Sequence, residues 1–131
     1  MNIVSEQTGQ GAAVLIRAVE PIQGLEFMST QRTVPKLREL TNGPGKFCQS
    51  FGIDLQQNGE DLVKSSRVWI ESKGVDLDFG IRVSTRIGIS QGQELPYRFF
   101  VDGNPFVSGR ATDHSVKRDR YLGPIPQKVA P

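Results

Sequence analysis

An arginine set inside an apolar run is the feature that most constrains this chain. Ala12 to Val19 reads Ala-Ala-Val-Leu-Ile-Arg-Ala-Val and is closed by Glu20 and Pro21. A run this short and this continuous suits a strand buried on both faces. Arg17 then needs an outlet. It either reaches solvent past the strand end or is held by a carboxylate or a ligand, because an unpaired guanidinium in an apolar interior is costly.

The remaining apolar residues must supply a core around that strand. At 131 residues with 37% hydrophobic content, the chain can bury one core and is short for two. One soluble domain is expected. No apolar run has the length of a bilayer span, and residues 1 to 20 hold neither a basic n-region nor an apolar h-region with a cleavage site. No membrane partner and no export are expected. The only cysteine, Cys48, has no internal partner, and the only histidine, His114, is far from it. No zinc-type cluster can be assembled, so neither a metal nor a cofactor is expected, and a reducing compartment fits.

The formal charge is +2, too small by itself to imply a nucleic acid. The excess sits in the tail, where Arg110, Lys117, Arg118, Arg120 and Lys128 face only Asp113 and Asp119. Apolar periodicity stops there and Pro124, Pro126 and Pro131 appear, so residues 110–131 are expected to form a disordered basic tail beyond a domain of residues 1–109.

Within that domain, Ile22, Leu25 and Met28 recur at helical spacing and predict a short amphipathic helix over 22–32. A second helix is predicted from Gly43-Pro44 to about Phe51. Proline suits its first position, Gly52 suits a left-handed C-terminal residue, and Ile53 suits the contact that follows. Asp54 to Ser66 reads as loop. Strands are predicted at Arg67 to Glu71, at Phe79 to Ile87 and at Tyr97 to Val101. Asp102-Gly103 favours a tight turn that could reverse the last of these into Pro105 to Ser108.

Candidate chemistry is sparse in these patterns. Gly43-Pro44-Gly45-Lys46 could present backbone N–H groups and a lysine to a phosphate, although the spacing is not that of a P-loop and a plain helix cap is the simpler reading. Arg82 and Arg86 share one face of a strand and could follow a nucleic-acid backbone, or be a solvated face, which is the commoner case. Glu20, Glu39, Asp61 and Asp76 show no spacing that marks an acid and base pair.

Three blocks in order change this balance: Ala12 to Pro21; Leu40-Thr41-Asn42-Gly43-Pro44-Gly45-Lys46-Phe47-Cys48-Gln49; and Arg86-Ile87-Gly88-Ile89 with Pro96-Tyr97-Arg98-Phe99-Phe100-Val101-Asp102-Gly103-Asn104-Pro105-Phe106-Val107-Ser108. Together they resemble the alkyladenine-type DNA-3-methyladenine glycosylase family, over nearly everything from Met1 to Ser108. The resemblance implies an α+β fold with a curved, mainly antiparallel sheet and short helices. It also implies a base-excision repair enzyme that binds duplex DNA, extrudes an alkylated or deaminated purine and hydrolyses its N-glycosidic bond with a water polarised by a glutamate.

By resemblance, Arg17 matches the family's water-positioning arginine and Ile87 the residue whose carbonyl accepts from that water. This shifts the balance for Arg17 from an arginine that only reaches solvent to one that holds a ligand. Asn2 matches the asparagine that screens the flipped base, Lys46 with its helix entry matches either the DNA-facing or the core-supporting framework of the family, and Arg86 is carried with Lys46 as a DNA-facing candidate. The family's glutamate, its pocket tyrosines and histidine, and its tyrosine wedge all precede the asparagine matched by Asn2. The chain is therefore expected to start after them and to excise negligibly alone. Three readings follow: an enzyme recorded from an internal start, a DNA-binding module without catalysis, or an unstable remnant. A monomer is expected, in the cytoplasm or at the nucleoid.

Overall fold

A computed structural model describes residues 1–34, 36–72 and 80–109. These fall into two compact units, each taken by itself: residues 1 to 72 with 104 to 108, and residues 80 to 103 with 109. The expected disordered tail from Arg110 and the candidate Asp76 lie outside the described residues.

The first unit opens with an antiparallel ladder. β1 (Asn2–Val4) pairs β2 (Ala13–Leu15), with Asn2 opposite Leu15 and Val4 opposite Ala13. The Ile16 N–H donates to the Met1 carbonyl and extends the pairing by one residue. β2 was expected to be buried on both faces, and it is not. All three of its residues are exposed, Val14 by 56%. Among the described residues its ladder partner is β1, and in the apolar run Ala12 and the residues from Ile16 to Val19 are half-buried. A continuous apolar run signals burial only where elements cover both faces.

Two helices follow and carry the core. α1 (Leu25–Gln31) is shorter than the predicted 22–32, because Gly24 takes a left-handed φ of 73° and starts the helix there. Ile22 is left outside it and exposed. α2 (Pro44–Phe51) has the predicted bounds. Pro44 provides a fixed φ at the first helical position. At the other end Gly52 sits at φ 65°, the Ile53 N–H donates to the Cys48 carbonyl at 2.8 Å, and the Gly52 N–H donates to the Gln49 carbonyl at 3.2 Å. This is the paired closure of a helix that ends in a left-handed glycine.

Met28, Leu40 and Phe47 are buried between these helices and the short 3₁₀ turn Leu37–Glu39. Thr41 and Ser50 are fully buried as well, and each is satisfied. Thr41 Oγ1 donates to the Val19 carbonyl at 2.6 Å, and Ser50 Oγ to the Leu40 carbonyl at 2.7 Å. A 3₁₀ turn at Leu55–Gln57, capped by Asp54, interrupts the stretch read as loop.

The strand predicted at Arg67 to Glu71 does not form. Ser65 Oγ accepts from the N–H groups of Arg67 and Val68, and the Ile70 N–H donates to the Leu62 carbonyl. A serine that captures nearby N–H groups removes them from any ladder.

The second unit is a hairpin. β3 (Ile81–Ser84) pairs β4 (Arg98–Val101) antiparallel, with Ile81 opposite Val101 and Ser84 opposite Arg98. Both strands were predicted, although Phe79 lies outside the described residues. β4 does not reverse into 105–108; that segment is a turn in which the Val107 N–H donates to the Asn104 carbonyl. The class is thus α+β with antiparallel pairing, distributed over two short ladders. No described helix is long and apolar enough to cross a membrane.

Candidate functional site

Arg17 lies just past β2 on a stretch of backbone fastened from two sides. On one side the Val19 carbonyl accepts the buried Thr41 hydroxyl. On the other, Asn104 Nδ2 donates to Glu20 Oε2 at 2.7 Å, while Asn104 Oδ1 accepts from the Phe106 N–H at 2.8 Å. Asn104 thereby shapes its own turn and ties that turn to the stretch carrying Arg17. Phe106 is buried and anchors the same turn.

The turn ends at Ser108, which is only 5% exposed, and Arg17 Nε donates to its Oγ at 3.2 Å. Arg17 itself is half-buried. The protein group it meets is therefore a hydroxyl in place of the carboxylate considered from the sequence. Among the described residues, no hydrogen bond or ion pair engages its two Nη groups. The nearest carboxylate in sequence, Glu20, is engaged by Asn104.

Asn2 is exposed on β1, opposite Leu15, and Arg17 stands two residues beyond Leu15. The structure brings these two candidates to one end of the same ladder. Lys46, in the first turn of α2, is half-buried and folds back on its own helix start, with Nζ donating to Asn42 Oδ1 at 2.9 Å.

In the second unit Arg86 and Ile87 follow β3. The Arg86 N–H is shared between the carbonyls of Gln93 and Leu95, and Arg86 Nη2 donates to the Gln91 carbonyl at 2.8 Å. Arg86 thus closes the loop that Ile87 enters, and Gly92, at φ 62°, permits the close approach. Arg82, expected to share a cationic face with Arg86, is paired with Asp102 at 2.7 Å. Arg98 is buried, donates to Ser84 Oγ at 2.8 Å and lies 4.3 Å from the Phe100 ring centroid.

The sequence reading missed Ser108 and Asn104 as partners of the Arg17 strand. The one signal available was that an arginine in an apolar run requires a partner, and it carries no address. Among the described residues no group of His, Cys, Asp and Glu could hold a metal ion.

The profile of a family described as methylpurine-DNA glycosylase matches residues 1–105. Several relatives carry the name 3-methyladenine DNA glycosylase. That of Rhodopirellula baltica is 45% identical over 125 residues, covering 90% of this chain and 53% of its own. That of Carboxydothermus hydrogenoformans is 42% identical, covering 82% and 56%, and that of Prosthecochloris aestuarii is 38% identical, covering 93% and 58%. The chain spans a little over half the length of these relatives.

Proposed function

The chain belongs to the methylpurine-DNA glycosylase family, and on that premise we propose that it supplies the water-positioning and base-screening side of an alkylpurine DNA glycosylase site. The substrate is an alkylated or deaminated purine turned out of duplex DNA, since its glycosidic bond is unreachable within the stack. Such work places the protein inside the cell, with DNA as its partner.

The observation that carries this reading is the state of Arg17. Its guanidinium is tethered through Nε alone, on a doubly fastened strand, with both Nη groups unengaged among the described residues. Two N–H-bearing tips on a fixed plane can donate to the oxygen of a water and hold it in one orientation, which lowers the entropic part of the barrier. Asn2, at the same end of the ladder, offers an amide that can discriminate among the polar edges of purines. The second unit, taken by itself, holds Ile87 on a loop closed by Arg86, and by resemblance its carbonyl is the acceptor. By resemblance Lys46 and Arg86, each within its own unit, are the cations carried as DNA-facing.

By resemblance, the carboxylate that polarises the water has no counterpart in residues 1–131. The assay therefore includes, in the same chain or as a second polypeptide, the part of a relative that these residues do not match. With a duplex carrying one hypoxanthine, single-turnover excision is expected, and Arg17→Ala is expected to slow it about 10²-fold. Duplex binding is expected to weaken as salt rises. Salt-sensitive binding with no excision would leave a DNA-binding module without catalysis, and absence of both would sink the reading.

A further inference from the structure

We infer that Ser108 is a positioning residue for Arg17: its buried hydroxyl fixes the plane of the guanidinium and turns both Nη groups toward an oxygen ligand. The role in catalysis rests on the proposed water-positioning part of Arg17, whereas the tether itself does not.

The choice of partner is informative. A carboxylate facing Arg17 would take two parallel N–H bonds and neutralise the charge, as bidentate pairs do. It would leave little of the fork for anything else. A neutral hydroxyl that accepts from Nε constrains the same plane and leaves the charge and both tips available. Nε is the one guanidinium nitrogen joined to the side-chain stem, so a bond there restricts rotation of the head without covering its outer edge.

Ser108 is suited to hold rather than follow. Its side chain is short, it is 5% exposed, and the turn from Asn104 that presents it is locked by the Glu20 and Phe106 bonds of Asn104 and by the buried Phe106 ring. The two cross-links, Arg17 with Ser108 and Glu20 with Asn104, join the same two stretches of chain three to four residues apart. A single accidental contact would not be braced in this way. A threonine at position 108 keeps the hydroxyl, and an alanine removes it with little change in volume.

The test uses the full chain, labelled with nitrogen-15, and the Nε–H resonance of Arg17, assigned by its loss in Arg17→Lys. Ser108→Ala is expected to speed exchange of this proton about fivefold, the loss of one modest hydrogen bond, and to shift its resonance. Ser108→Thr is expected to retain the wild-type exchange rate, which separates loss of the hydroxyl from loss of the fold. Backbone amide spectra of both variants check that the fold is kept. In the complemented excision assay, Ser108→Ala is expected to slow the single-turnover step about 10- to 100-fold, with no further loss when added to Arg17→Ala.

An unchanged Arg17 resonance and exchange rate in Ser108→Ala would overturn the inference. So would a Ser108→Ala penalty that persists undiminished in the Arg17→Ala background, since that would mean a purely structural role. If the wild-type assembly excises nothing, the glycosylase reading fails, and the resonance alone decides whether Ser108 orients Arg17.

Discussion

Within the first unit, the helix pair and the β1–β2 ladder are built from similarly apolar residues and end in opposite environments. In the helical part Leu40, Thr41 and Ser50 are almost fully buried, and Met28 and Phe47 nearly so. On the ladder Val4 is 70% exposed, and Val14 and Leu15 are exposed as well. The difference lies in layering. Each helix has another element packed on its apolar side, whereas the ladder has its hydrogen-bonded partner and little over its faces. Hydrogen bonding organises a strand, but only a second layer buries it.

Five substitutions and a titration can break or sharpen that contrast. Leu40→Ala should cost about 2–5 kcal/mol in chemical denaturation, the usual range for a buried leucine truncated to alanine. A cost below about 1 kcal/mol would mean that the helix pair is not the core. Ser50→Ala removes the hydroxyl that satisfies the buried Leu40 carbonyl, and a loss of about 1–3 kcal/mol is expected.

Gly52→Ala forces a side chain into φ 65° and should cost about 1–2 kcal/mol. A neutral result would show that the helix ends differently in solution. Val14→Thr on the ladder should stay within about 0.5 kcal/mol. If it costs as much as Leu40→Ala, some other surface covers the ladder in solution, and the contrast dissolves.

The smallest effect is expected at Asp61, in an exposed loop. The Val63 N–H holds its carboxyl below the usual 3.8, with Lys64 contributing. A carboxyl whose pKa is lowered by folding stabilises the fold above its unfolded value and loses that contribution as pH falls through the folded value. Asp61→Asn should therefore flatten the acid limb of stability below about pH 4 slightly, and a carbon-13 titration of the carboxyl should place its midpoint below that of an unstructured peptide.

What the sequence made legible follows the range of the interactions involved. α2 was readable at both ends because its start and stop are written in adjacent residues, Gly43-Pro44 and Gly52-Ile53. The β3 and β4 strands were readable from their alternation and apolar content, and the turn after β4 from Asp102-Gly103. The strand read at Arg67 to Glu71 failed on a local competitor, the Ser65 hydroxyl, that a pattern of apolar residues does not register. The burial of β2 failed because covering layers are not encoded in the run itself. At the site, Arg17 stood out as an arginine in the wrong company, but its partner could not be found by pattern, since nothing in the segment from Pro105 to Ser108 marks its last serine as the partner of an arginine 91 residues earlier. Likewise the sequence offered Arg82 and Arg86 as one cationic face, and the cross-strand charge of Asp102 and the loop carbonyl of Gln91 divide them.

The clamp on the Arg17 strand also sets an order of events in folding. Its two bonds join residues 91 and 84 positions apart. Closing a chain segment of that size costs on the order of 4 kcal/mol in entropy before any contact compensates it. The helices, whose contacts are local, can form well before that. During synthesis Arg17 emerges 91 residues ahead of the serine that fixes it. Until the turn from Asn104 to Ser108 returns, the arginine has no fixed bearing, so its alignment reports on completion of the fold and is forfeited by any product that ends before Ser108.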